Sequence, residues 1–208
     1  MVPTPLKILS LDGGGVRGLS PLYILKALME ELQKRSNSPN IPRPCEVFDV
    51  ICGTSTGGLI ALMLGRLRMS VDEAIKCYKD LSKDVFGKTR SFPGLGMLIG
   101  RSMYDASILE KGVKEIVARY EQDNSDALLM DVRAREHVCH TFVSTCRKSA
   151  NGVPQFFRSY SLNKGEDDTC KIWEAARATT AISPIFDSIK VGPETFIVRH
   201  PNVRLLPE

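Results

Sequence analysis

Residues 48–58, FDVICGTSTGG, decide the fold. Phe48-Asp49-Val50-Ile51-Cys52 reads as a short buried strand that breaks at Gly53, and an apolar helical stretch follows from Leu59 to Leu67. Between them, Gly53-Thr54-Ser55-Thr56-Gly57 is a G-x-S-x-G pentapeptide in the strand–turn–helix setting that a nucleophile elbow requires. Small residues on either side let the chain fold back without clashes. The Ser55 hydroxyl is thereby presented beside a helix N-terminus, whose partial positive charge and free N–H groups favour negative charge. The same pentapeptide would also serve as a glycine-rich turn without chemistry.

Upstream, residues 6–11 (LKILSL) read as another short buried strand, ending at Asp12-Gly13-Gly14-Gly15-Val16-Arg17-Gly18. A dinucleotide fingerprint fits glycines 13, 15 and 18, but Gln33-Lys34-Arg35 and a proline loop occupy the region where its acidic residue is due. A phosphate-binding Walker loop fails because Leu19 stands where its lysine must be. The reading that fits is an oxyanion hole: consecutive glycines leave backbone N–H groups bare and let a carbonyl oxygen approach closely. Arg17 adds a fixed charge that can hold the loop or meet a phosphate.

The rest of the chain alternates helices and strands. Ser20 is placed as an N-cap with Pro21 at the first helical position, and Leu22, Leu25, Leu28, Met29 and Leu32 form the apolar stripe. Residues 36–44 are a proline-held loop. Ser70 and Glu73 form a capping box for a helix whose stripe is Val71, Ala74, Ile75, Tyr78 and Leu81. Residues 86–103, rich in Gly, Phe and Met, read as a partly apolar lid or lipid-facing flap. A helix over 106–120, strands near 138–146 and 155–161 and a helix over 172–181 complete the pattern. It implies a single α/β domain with a mainly parallel central sheet.

Composition adds exclusions. With 43% hydrophobic and 25% charged residues the 208-residue chain is of ordinary globular type, and its net charge is +4. The 28 Lys and Arg are scattered singly, which argues against nucleic-acid binding and allows weak attraction to an anionic lipid surface. No apolar run is long enough to span a bilayer, and the opening MVPTPLKILSLD does not read as a signal peptide. Six dispersed cysteines read as reduced, buried thiols of an intracellular protein. His137 and Cys139 fall on one strand face and His140 on the other, so no metal cluster is expected there.

Three stretches, ILSLDGGGVRGLSPLYIL, FDVICGTSTGGLIALML and KIWEAARATTAISPIFDSIKVG, resemble the patatin-like phospholipases, most closely the short modules common in fungi. The resemblance implies a three-layer α/β/α sandwich and a lipid acyl hydrolase acting on phospholipid or acylglycerol esters without metal or cofactor. By the same resemblance Ser55 is the nucleophile and the amides of Gly13, Gly14 and Gly15 form the oxyanion hole. Asp12, Arg17, Gly18, Gly53 and Gly57 are supporting residues. A cytoplasmic location with peripheral membrane contact follows as an expectation.

One departure stands out. The family pairs its serine with an aspartate in an Asp-Gly motif shortly after the segment matching 172–192, and no Asp-Gly follows residue 12 in this sequence. The family pattern covers residues 6–196 and is replaced over 197–208. The alternative reading is therefore a domain without its dyad acid that binds lipid or a partner protein. His200 is a conceivable substitute base, and a Ser-His-Asp triad using His200 or His140 is a third possibility; Asp187 has no expected role. The departure is expected to come from a frameshift, splice change or gene-assembly error after about Phe196. Transcript reads across these codons are expected to leave the stated frame, and reads encoding 197–208 in frame would refute an assembly error.

Overall fold

The computed structural model describes residues 5–87, 102–133, 137–150, 153–162 and 169–198. The two apolar runs that flank the glycine motifs form β1 (Ile8–Leu11) and β2 (Val50–Thr54), paired in parallel from Ile8 opposite Val50 to Leu11 opposite Gly53. β3 (His140–Arg147) continues the sheet in parallel, from His140 beside Val50 to Ser144 beside Thr54. β4 (Pro154–Arg158) is antiparallel to β3. β5 (Ile189–Val191) and β6 (Glu194–Ile197) form a hairpin that meets the end of β3 at Cys146 and Arg147. The strand order is β1-β2-β3-β6-β5, with β4 also on β3. Parallel pairing is confined to the strands joined through helices, whereas the short connections give antiparallel pairs.

The helices are α1 (Leu19–Ser36), α2 (Pro44–Val47), α3 (Thr56–Ala61), α4 (Val71–Phe86), α5 (Ala106–Tyr120) and α6 (Ile172–Thr180). α3 and α6 pack on the sheet and on each other, while α4 and α5 pack together, with α1 against α4 and α5 against α6. This is the α/β layering expected from the alternation of elements. The capping box of α4 is present: Ser70 Oγ accepts from the Glu73 amide, and the Ser70 amide donates 2.8 Å to the Glu73 carboxylate. All five residues of its expected stripe are buried.

Two helix starts differ from expectation. A 3₁₀ turn over Gly15–Gly18 leads straight into α1, so Gly18 rather than Ser20 is the N-cap. Pro21 becomes the third helical residue, where its missing N–H is still one of the four without an intrahelical partner. Leu28 falls off the buried stripe and is exposed. α3 begins at Thr56, not Leu59, because Ser55 itself is the N-cap and the two glycines behind it are helical. Of the expected lid over 86–103, residues 88–101 lie outside the described residues.

Period-two alternation separates the sheet faces. Leu11, Ile51 and Val143 are buried in the core with α3, α4 and α5. On the opposite face Ile8 is 58% and Phe156 41% exposed, and Phe142 meets Phe156 edge-on with centroids 5.5 Å apart. α3 runs into a π turn, Leu62–Arg66, that carries a buried charge. Arg66 Nε and Nη2 donate to the Leu129 and Leu128 carbonyls at 2.8 and 2.7 Å, and Nη1 pairs with Glu121 at 2.8 Å. Burial pushes the guanidinium pKa down while Glu121 opposes the shift. Arg66 thus ties the end of α3 to the segment after α5. Arg66→Ala strips the Leu128 and Leu129 carbonyls of this partner and leaves Glu121 only Arg133; it is expected to lower the unfolding free energy by about 3 kcal/mol, read by urea denaturation.

Candidate active site

The site forms where β2 stops. Ser55 has φ 56° and ψ −127°, a left-handed conformation that costs a non-glycine residue on the order of 1–3 kcal/mol. Hydrogen bonds hold it there. The Ser55 amide donates to Thr179 Oγ1 at 2.9 Å, and that hydroxyl donates to the Ser144 carbonyl at 2.7 Å. The Ser55 carbonyl accepts the first bond of α3 from Leu59 N at 3.0 Å. Gly57 is forced by close approach: a Cβ there would lie 2.1 Å from the Leu11 carbonyl oxygen. Gly53 faces the same carbonyl and the Gly57 backbone, so the turn fits only without side chains at both positions.

The glycine loop lies against this elbow. A Cβ on Gly13 would come within 2.9 Å of the Ser55 Cβ, which puts the bare Gly13 backbone in contact with the serine. Gly14 departs from expectation, because its amide is already engaged and donates to Thr56 Oγ1 at 2.9 Å. Gly15 has φ +56° and its carbonyl accepts from the Tyr78 hydroxyl at 2.5 Å. Gly18 is buried against the same phenol ring. Asp12 and Arg17 are exposed, and their side chains make no hydrogen bond or ion pair among the described residues.

Three polar side chains of this network carry no signal of their role in the sequence: Thr56, Tyr78 and Thr179. Tyr78 was legible only as part of an apolar stripe, although a buried tyrosine hydroxyl demands a partner. Thr179 is 124 residues from Ser55, and its bond to Ser55 N exists only through the packing of α6 on α3.

The histidines fall elsewhere. His140 pairs with Val50, four residues before Thr54, so it lies roughly 13 Å down the strands from the elbow. Its ring packs on Tyr160 at 4.4 Å, which removes His140 as a base for Ser55. His137 Nε2 is 3.2 Å from the Phe48 carbonyl, and His200 lies outside the described residues. The Asp187 carboxylate accepts from Ser102 Oγ, and its main-chain carbonyl accepts from Arg177 at 3.0 Å. Among the described residues no carboxylate or imidazole hydrogen-bonds the Ser55 hydroxyl. The end of β6, however, emerges close by. Val198 N donates to the Ala181 carbonyl at 2.7 Å, two residues beyond Thr179, and the Thr145 hydroxyl lies between the Ala178 and Ile197 carbonyls.

The six cysteines form no disulfide, and burial pushes the Cys139 thiol up to about 12 and raises Cys170 as well. No cluster of metal-ligating side chains occurs among the described residues. Nor is any helix there long and apolar enough to cross a membrane.

A strained serine between a parallel strand and a helix, with a glycine loop against it, defines the elbow-bearing α/β proteins. Within that class the chain belongs to the patatin-like phospholipase family, whose model matches residues 9–197. It is 32% identical over 196 residues to calcium-independent phospholipase A2-gamma of Rattus norvegicus, covering 90% of this chain and 23% of that protein. It is 32% identical over 180 residues to phospholipase A I of Arabidopsis thaliana, covering 77% of this chain and 13% of that protein. The chain therefore spans about a quarter or less of these relatives. The crystal structure of VipD from Legionella pneumophila shares the fold, with TM-score 0.51 and 13% identity over 99% of this chain and 47% of that one.

Thr179→Val strips the Ser55 amide and the Ser144 carbonyl of their shared partner while preserving shape. Denaturant titration is expected to show a loss of about 1–3 kcal/mol.

Proposed function

We propose that this chain hydrolyses fatty-acyl esters of phospholipids or acylglycerols with Ser55 as nucleophile. The observation that carries the reading is the strained Ser55 elbow with the bare Gly13 backbone in contact with it. Ser55 Oγ attacks the ester carbonyl, and the charge that develops on its oxygen is met by amides of the Gly13–Gly15 loop. The alcohol half leaves, and water then releases the fatty acid from the acyl-enzyme. One such donor is typically worth about 10²–10³ in rate. No metal or cofactor takes part in this scheme.

An apolar pocket beside the elbow favours an apolar group on the substrate, although with room for only about 10 Å³ it does not admit an acyl chain as it stands. Leu59, Leu81, Val85, Phe86 and Phe186 line it, with Thr56, next to Ser55, at one side. The relatives' names, phospholipase A2 and phospholipase A, agree with this substrate class. The net charge of +4 favours peripheral contact with an anionic membrane surface, on the cytoplasmic side.

A second reading has its own observation. Because no acid or imidazole reaches the Ser55 hydroxyl among the described residues, the domain can bind lipid with little turnover. Losing one member of a catalytic unit leaves about 10³–10⁴ over the rate in water.

A fluorophosphonate probe is expected to label Ser55 in the wild type and not in Ser55→Ala, as located by peptide mass spectrometry. Fatty-acid release from phosphatidylcholine vesicles, measured in parallel, separates the readings. Labelling with release supports the hydrolase, labelling without release supports the impaired domain, and folded protein that resists labelling refutes an activated serine.

A further inference from the structure

The hydrogen bonds around the glycine loop converge on two hydroxyls. Thr56 is 5% exposed, and its Oγ1 accepts the Gly14 N–H at 2.9 Å. Tyr78 is 1% exposed, reaches the loop from α4 and donates to the Gly15 carbonyl at 2.5 Å. The Thr56 and Ser82 hydroxyls face the same phenol, and its body fills the space beside Gly18, where a Cβ would lie 2.6 Å from Oη. Consecutive glycines have no side chains with which to hold themselves, and Gly15 sits at positive φ. The loop's own backbone contributes the bond from Arg17 N to the Gly14 carbonyl at 3.1 Å and the 3₁₀ turn Gly15–Gly18. Among the described residues its side-chain anchors are these two, which lie on α3 and α4.

We infer that Thr56 and Tyr78 are positioning residues that clamp the glycine loop against Ser55, and that the Thr56 hydroxyl is the resting acceptor of the Gly14 amide. This rests on the reading of Ser55 as nucleophile. Gly14 N–H is held by a neutral hydroxyl in the absence of substrate. A neutral ester carbonyl is no stronger an acceptor and has little advantage in displacing it. An oxyanion is: hydrogen bonds to an ionised acceptor are about twice as strong as neutral ones. The exchange from Thr56 Oγ1 to the oxyanion is therefore favourable only as charge develops, and until then the hydroxyl holds the amide in place. Tyr78 keeps the Gly15 peptide fixed throughout, so the loop does not have to reorganise when the amide changes partner. Burial raises the Tyr78 pKa, so the phenol stays a donor across the neutral range.

The test uses the full chain and three substitutions, Thr56→Val, Thr56→Ser and Tyr78→Phe, each first checked for a cooperative melt. Two measurements are made. In the first, the fluorophosphonate reaction at Ser55 is resolved into its limiting rate and its half-saturating concentration. Thr56→Val and Tyr78→Phe are expected to lower the limiting rate about tenfold with half-saturation unchanged, and Thr56→Ser to restore it. In the second, amide hydrogen exchange is followed in the peptide spanning 12–18, which does not depend on Ser55 reactivity. Exchange there is expected to rise at least about fivefold in Thr56→Val and Tyr78→Phe and to return toward wild type in Thr56→Ser. Unchanged exchange in both variants overturns the clamp, as does a Thr56→Ser protein as impaired as Thr56→Val, or a loss confined to half-saturation. Wild-type protein that resists the probe while the variants show raised exchange upholds the clamp and refutes the nucleophile, so the two failures are distinguishable.

Discussion

The Thr179 hydroxyl bridges two main-chain groups that belong to different parts of the fold. It accepts from Ser55 N and donates to the Ser144 carbonyl, joining the strained turn after β2 to the middle of β3. A residue held at φ 56° without a glycine persists only when its surroundings over-determine it. Here α3 begins at the next residue, the Leu11 carbonyl presses on Gly57, and Thr179 removes the freedom of the Ser55 amide. Each constraint comes from a different element, so the geometry of one serine depends on β1, β3, α3 and α6 packing correctly together.

The sheet order explains why these elements meet. β1, β2 and β3 run parallel and in sequence, so the loops that leave β1 and β2 open at the same edge. That edge receives the glycine loop, the Ser55 elbow and, from α6, the threonine that supports it. The antiparallel hairpin of β5 and β6 then returns to β3 at Cys146 and Arg147. Its outgoing end bonds to Ala181, on the side of the sheet away from β1 in strand order. The same register explains why His140 is a poor partner: it sits at the far end of the strand whose other end reaches the site.

Apolar packing supplies the rigidity on which the polar network depends. The α4 stripe buries Val71, Ala74, Ile75, Tyr78 and Leu81 against the core, and within this stripe Tyr78 alone carries a hydroxyl to the glycine loop. Phe86, Tyr104 and Phe186 form a ring cluster with centroids 5.1 to 6.3 Å apart at the end of α4, bordering the apolar cleft beside Thr56. Hydrophobic burial thus places the hydroxyls, and the hydroxyls place the loop.

Local pattern determined much of this protein. The apolar runs at 6–11 and 48–52, the capping box at Ser70 and Glu73, the helix over 106–120 and both glycine motifs are encoded within a few residues of themselves, because strand, cap and turn preferences are short-range. From these, the α/β layering and the position of Ser55 in an elbow were legible. The starts of α1 and α3 were not, since both are set by the turns that precede them rather than by side-chain propensity. Nor was the engagement of the Gly14 amide by Thr56, the role of Tyr78, or the support of Ser55 by a threonine 124 residues away. Those contacts depend on how helices stack on the sheet, and a hydrogen bond between distant residues leaves no periodicity in either segment. Sequence alone determined which residues form the elbow and loop; only the tertiary structure decided which of their backbone groups are held, and by what.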